Sequence, residues 1–514
     1  MSSRTDYAIK NSIYSSIIAV LNMGLLFFIR TMIIKLLGSE ILGLNSLFTD
    51  ILTTMSLVEL GIGPAIVYLL FSPLSRKDSQ EIHSLMLFFK KIYFFIGILI
   101  SVIGLLFLPF LSFVVNTDLK TQEVIIIYLF FLLNSVLSYF FAYNRSLLFA
   151  DQKGYKVAFI DFIIKLIGSI LQIIGLLVFK KYYFFLFIQI IITIVSNILI
   201  TNIVNKEYIE VFKSKRTSIS IETKRTMKKF VIGKISEKIG GAVFMSTDSI
   251  FISIFLATNL VGIYDNYRMI LFSATMCINM FAGSIGASIG NLAVSGDNKK
   301  FMEVFKTHNF ITFFLAIFFI NGFMMVSHPF IKLWIGEKFV LSRLVVVLLL
   351  VNFFLMSIRQ TMWLYNDGFG LAWYQRWKSI IESILNIAFS LVFLIVFNLG
   401  LIGILLGTIL SSLMTVSWYE SYIVYKQVLH EKYVDYIKYF SVQVVIFLIT
   451  LTLSLFLDIF LPNSGISVLI YRGIISIFIS IFFIFLFYRK SAEFKSTISI
   501  INTAINTYIK RRKN

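Results

Sequence analysis

The chain has 514 residues, of which 58% are hydrophobic, 16% aromatic and 14% charged. Soluble proteins average roughly 45–50% apolar and about 25% charged residues, so this composition excludes both an ordinary soluble protein and a disordered one. The formal net charge of +20 is dispersed between apolar runs rather than gathered in one basic domain, which excludes a nucleic-acid partner. What remains is an all-α polytopic membrane protein.

A spanning helix needs roughly 20 mostly apolar residues. The first such stretch, 11–37, is too long for a signal-peptide core and lacks an Ala-x-Ala site, so it reads as the first span. The second, 43–71, contains Glu59-Leu60-Gly61-Ile62-Gly63-Pro64. There a missing backbone donor and soft glycines predict a bend. Spans follow at 85–115, 123–149, 157–179 and 184–204, then a basic stretch at 205–229. Six more lie at 230–256, 263–290, 304–327, 342–366, 377–398 and 400–424, and a last pair at 438–460 and 467–488. The tail, 489–514, places Ile498, Ile501, Ile505 and Tyr508 on one helical face before Lys510-Arg511-Arg512-Lys513, a pattern suited to an anionic membrane surface.

Lys and Arg concentrate in alternate connections, most heavily in 205–229 and 489–514, while the intervening ones hold only Lys120, Lys180, Lys181, Lys332, Lys338, Arg343 and Arg472. The excess of cations on the cytoplasmic side of membrane proteins then puts both termini in the cytoplasm. About fourteen spans, an even number, fit that orientation.

The body reads as duplicated. Leu37-Gly38-Ser39-Glu40-Ile41-Leu42-Gly43-Leu44 matches Leu256-Ala257-Thr258-Asn259-Leu260-Val261-Gly262-Ile263. Ile62-Gly63-Pro64-Ala65-Ile66 matches Ile285-Gly286-Ala287-Ser288-Ile289, and Pro109-Phe110 matches Pro329-Phe330, at nearly the same offset. The expected organisation is a six-helix lobe at 1–204, a cytoplasmic basic linker at 205–229, a second six-helix lobe at 230–424, two extra helices within 425–488, and the tail. Transporters built from repeats place their substrate between them.

The segment Leu37 to Phe48, with Leu57-Val58-Glu59-Leu60-Gly61-Ile62-Gly63-Pro64-Ala65-Ile66, resembles the Wzx-type polysaccharide flippases of the multidrug/oligosaccharidyl-lipid/polysaccharide exporter superfamily. The resemblance implies two lobes in a V around a central cavity. It also implies a cargo of undecaprenyl-diphosphate-linked oligosaccharide, moved across the bacterial cytoplasmic membrane for surface polysaccharide. Membrane lipids and other polysaccharide assembly proteins are the further partners implied. By span position it points to Arg30 and Arg268 as cavity cations. A lipid II flippase or a multidrug exporter of the same superfamily is the alternative.

Charges at membrane depth are costly, about 2.5–3.5 kcal/mol each on insertion scales, and mark functional positions. Asp161 with Lys165, and Asp265 with Arg268, sit at the spacing of local helical pairs. Arg30, Arg145 and Arg359 have no acid within four residues. Each needs an acid on another helix, an interface, or an anionic ligand such as a diphosphate, which a guanidinium binds through two parallel hydrogen bonds. Lys234 and Lys238 form a further cationic face. Asp50, Glu59 and Asp248 lack a local base and are candidates for proton or sodium coupling.

Neither a cofactor nor a metal is expected: Cys277 is the single cysteine, and the four histidines have no ligand spacing. No Gly-x-x-x-x-Gly-Lys-Ser/Thr loop is present to bind a nucleotide. The chain reads as a transporter and not an enzyme.

Overall fold

The computed structural model describes residues 4–59, 62–217, 221, 225, 240–241, 243–244, 246–295, 298–369, 371, 374–462, 465–500 and 502. Among them there is no β-strand. Eleven helices are long and apolar enough to cross a membrane. The chain forms two compact units, Met1–Asp265 and Asn266–Asn514.

In the first unit, α1 runs Arg4–Met55 and holds the first expected span and the start of the second in one helix. The two are separated at Gly38, whose φ of 88° and ψ of −179° interrupt the helical backbone. A positive φ costs glycine little because it has no Cβ. At the expected bend, Glu59–Pro64, α1 passes into a 3₁₀ turn at Ser56–Glu59, and α2 (Ile62–Arg76) begins beyond Leu60 and Gly61, which lie outside the described residues. Pro64 falls in the first turn of α2, where its absent N–H costs no helical hydrogen bond. Next come α3 (Ser79–Leu106), α4 (Thr121–Tyr139) and α5 (Ala142–Ala150), the last two dividing the single expected span at 123–149. Then follow α6 (Gly154–Phe179), α7 (Tyr182–Glu207) and a short helix α8 (Ser246–Phe255). The connection after α5 and the end of α7 are tied by ion pairs from Lys153 to Asp151 and Glu207. Burial alone would lower the Lys153 pKa; hydrogen bonds from its ammonium to Asp151 and Tyr208 outweigh it and hold the group above its ordinary value.

The boundary between the units falls inside α9 (Thr258–Ser295). The reason is that α8 and the start of α9 are fastened to α1 and to the chain before α4. Ser253 donates to the Val114 carbonyl at 2.7 Å, and Asn116 donates to the Leu256 carbonyl at 2.9 Å. Gly43 and Gly262, corresponding residues of the repeated motif, lie against each other. A Cβ on Gly262 would stand 2.8 Å from the Gly43 nitrogen, and one on Gly43 would stand 1.9 Å from the Thr258 carbonyl oxygen.

The second unit continues with α10 (Asn298–Trp334), α11 (Arg343–Gly368), α12 (Lys378–Leu391), α13 (Gly400–Met414) and α14 (Val416–Val424). The last pair is α15 (Tyr433–Phe460) and α16 (Ile466–Tyr488). Buried side chains dock the pair on α10: Gln443 donates to Asn309 at 2.7 Å, Ser454 to Asn321 at 3.1 Å, and Asn321 to Ser480 at 3.0 Å. Arg472 and Arg343 are expected among the cations of the outer connections. Arg472 is fully buried on α16 and pairs with Asp458, which also accepts from Arg343 at 2.7 Å. Of the expected amphipathic tail, Phe494 packs against Phe310 and Phe485; Ile501, Ile505, Tyr508 and the terminal basic run lie outside the described residues.

Candidate functional site

The first unit contains a pocket of about 650 Å³ between α1, α4, α6 and α7. That is within the roughly 300–1,000 Å³ typical of small-molecule sites. Two helical stripes make much of its wall. On α6, Asp161, Lys165, Ser169 and Gln172 recur at three- and four-residue steps. On α7, Phe185, Gln189, Thr193 and Ser196 do the same. This spacing puts each set on one helical face. Both helices are long and apolar enough to span a bilayer, so the stripes carry polar groups at membrane depth, where they face an interior rather than lipid.

Arg30 reaches this pocket from α1. It is only 7% exposed. Its guanidinium pairs with Asp265 at 2.8 Å and donates to the Gly262 carbonyl at 3.2 Å. Ser46 donates to the same Asp265 carboxylate at 2.7 Å. Arg145, from α5, pairs with Asp161 and donates to Ser196 and Asn197, each at 3.0 Å. Two acids that sit at the spacing of local helical pairs thus also reach cations on other helices. Asp161 pairs with Arg145 on α5, and Asp265 pairs with Arg30 on α1. A pair one turn apart on a helix contributes only about 0.2–0.5 kcal/mol, and a guanidinium at depth has more to gain from the carboxylate. The consequence is that the Lys165 side chain, among the described residues, makes no hydrogen bond or ion pair. The Gln189 side chain makes none either.

Glu59, at the break between α1 and α2, also lines the pocket. Its carboxylate accepts from the Tyr93 hydroxyl at 2.8 Å. Gly63 makes this possible: a Cβ there would come within 2.9 Å of the carboxylate and 3.3 Å of the hydroxyl. The other two candidate coupling acids lie at the seam of α1, α8 and α9. Asp248 accepts from the Tyr264 hydroxyl at 2.8 Å, and Asp50 accepts from the Ser249 hydroxyl.

Arg359 is not at this site. In the second unit it is clamped by Glu420, at 3.0 and 3.1 Å, and by Glu382 at 3.2 Å. Lys378 and the Trp363 indole N–H also donate to Glu420. Two acids against two bases leave the network balanced. Sequence reasoning missed Glu382 and Glu420 because both are distant from Arg359 in the chain. Arg268 is half-buried on α9. Lys234 and Lys238 lie outside the described residues. Among the described residues no group of His, Cys, Asp or Glu could hold a metal ion.

The fold is that of solved transporters of the MOP superfamily. An inward-facing multidrug resistance MATE family transporter shares 15% identity over 80% of this chain and 98% of its own, with a TM-score of 0.62. The lipid II flippase MurJ, in an inward closed conformation, shares 17% over 93% of this chain and 99% of its own, also at 0.62. A MOP superfamily transporter from Pyrococcus furiosus, described as having a binding pocket of reversed polarity, shares 14% over 83% and 97%, at 0.56. No curated protein matches the sequence. Residues 8–285, more than half of the chain and all of the pocket described above, match the family described as polysaccharide biosynthesis protein, and the chain is a member of that family.

Proposed function

We propose that the protein is a flippase that moves undecaprenyl-diphosphate-linked oligosaccharide repeat units across the bacterial cytoplasmic membrane, for surface polysaccharide assembly. The observation that carries this reading is a polar, charge-bearing pocket at membrane depth in a member of the polysaccharide biosynthesis family. The tightly docked helix pair α15–α16 supports it too, since MurJ matches 93% of the chain and the MATE family transporter 80%.

Arg30 is the residue assigned to the diphosphate. Asp265 pairs with it, which lowers the cost of holding a cation at depth. A phosphate offers the same paired acceptors as a carboxylate, so the cargo can take the place of Asp265 on the guanidinium. Arg268, Lys234 and Lys238 complete the proposed cationic set, while Arg145 holds the pocket wall in shape. Among the acids, Glu59 faces the pocket and is the proposed coupling residue. The cycle alternates access between the two faces of the membrane, with both termini in the cytoplasm.

The test is Arg30→Glu expressed in a host strain lacking the protein. The variant should insert normally, abolish surface polysaccharide, and leave lipid-linked oligosaccharide with its sugars on the cytoplasmic face. Full polysaccharide production by that variant removes Arg30 from the mechanism. Normal polysaccharide in the strain lacking the protein overturns the cargo, and a peptidoglycan defect there assigns lipid II instead.

A further inference from the structure

We infer that the wall of the pocket formed by α6 and α7 is a saccharide subsite: it receives the sugar portion of the cargo, and Lys165 and Gln189 are the side chains that read it. The inference rests on the flippase reading and goes beyond it by dividing the cargo between two walls of one pocket.

The argument starts from hydrogen-bonding capacity. The guanidinium groups in this pocket are already engaged. Arg145 donates to Asp161, Ser196 and Asn197, and Arg30 to Asp265 and the Gly262 carbonyl. The neighbouring hydroxyls are engaged as well: Ser169 donates to the Lys165 carbonyl at 2.6 Å, and Thr193 to Asn134 at 2.7 Å. Gln172 donates to the Phe185 carbonyl at 3.1 Å. The Lys165 ammonium and the Gln189 amide are left over, on adjacent helices and lining the same space.

Both residues are half-buried, so a ligand that fills the space displaces their water and has to supply hydrogen-bond partners in its place. An amide presents both donors and an acceptor, which matches a sugar hydroxyl, itself both donor and acceptor. A diphosphate has acceptors only and gains nothing from the amide oxygen of Gln189. The charge balance agrees. Away from Arg30, Arg145 and Lys165 are offset by Asp161 and Glu59, so this side of the pocket offers no excess of cations to a dianion. Phe185 adds an apolar face, held by stacking on Tyr182 at 5.6 Å between ring centroids. Tyr139, stacked on Tyr93 at 6.4 Å, adds a second. Polar groups that fix orientation together with flat apolar surfaces are the ordinary make-up of a small-molecule site.

The experiment uses the full chain in lipid nanodiscs and two probes. One is the oligosaccharide released by mild acid from the host's own surface polysaccharide, free of lipid and phosphate. The other is undecaprenyl diphosphate carrying no sugar. The unaltered protein should bind both. Gln189→Leu and Lys165→Met should each weaken oligosaccharide binding about tenfold and leave undecaprenyl diphosphate binding unchanged. Gln189→Glu, which keeps size and polarity, should fold as the parent does and still lose affinity for the oligosaccharide. Binding of undecaprenyl diphosphate without any oligosaccharide binding overturns the subsite and leaves the flippase reading standing. Oligosaccharide affinity unchanged in all three variants also overturns it. Failure to bind either probe overturns the flippase reading itself.

Discussion

Arg145 and Asp161, in the first unit, form their ion pair with side chains that are 24% and 41% exposed, beside an open pocket and an unengaged lysine. Arg359, Glu382, Glu420 and Lys378, in the second unit, form theirs with no member above 9%. Their surroundings differ in the same sense. In the apolar window of Gly154–Phe179, 28% of residues are buried within the protein, against 72% for Arg343–Asn366. Buried charge therefore serves two ends in one chain. In this cluster of the second unit two bases meet two acids, all buried, so the network fastens α11, α12 and α14 to one another. In the first unit the same residue types surround space, and the partners they leave over are groups that a ligand can use.

The contrast can be broken most severely at Glu420. Glu420→Ala leaves Arg359 and Lys378 buried without their shared carboxylate, and loss of one partner from a buried pair costs about 3–5 kcal/mol. A steep fall in thermal stability of the purified protein is expected, with much lower membrane abundance; an unaltered melting temperature would show that the network does not hold the unit together. Gly43→Leu is next. The side chain would be driven into the Thr258 carbonyl, and overpacking costs about 1–3 kcal/mol. Loss of surface polysaccharide is expected, with insertion retained, and the melting temperature of the purified protein should fall. The smallest effect is expected at Tyr93→Phe, which removes the hydrogen bond to Glu59 at a cost of about 1 kcal/mol. The change is on the pocket side, so it should alter the pH dependence of transport more than the melting temperature. The reverse outcome would move Glu59 from the functional to the structural class.

How much of this was legible in the sequence follows from the range of each interaction. Spans are legible because hydropathy is local, and so is the break at Glu59–Pro64, where the irregular residues are adjacent. The division at Phe140 and Phe141 carried no such mark: an uninterrupted apolar run conceals a turn. The ion pairs were legible only as needs. Arg30, Arg145 and Arg359 were recognisable as cations lacking a local acid. Their partners lie 235 residues away for Arg30, 16 for Arg145, and 61 and 23 for Arg359. No periodicity connects such positions. The polar stripe of α6 was legible and was passed over, because Asp161 and Lys165 were weighed as charges at pairing distance. The Ser169 and Gln172 that continue their face were not counted with them.

The meeting of Gly43 with Gly262 has a consequence for the origin of the chain. If the two segments are copies of one motif, as their sequences read, the contact is made by a residue with its own counterpart. Such self-matching contacts are what a two-fold homodimer makes on its symmetry axis. Half-length ancestors, each with one glycine there, could have paired through this point before fusion joined them. The fused chain would then have been free to place Arg30 in one copy and Ser249 in the other, acquiring an asymmetry that no pair of identical subunits can encode.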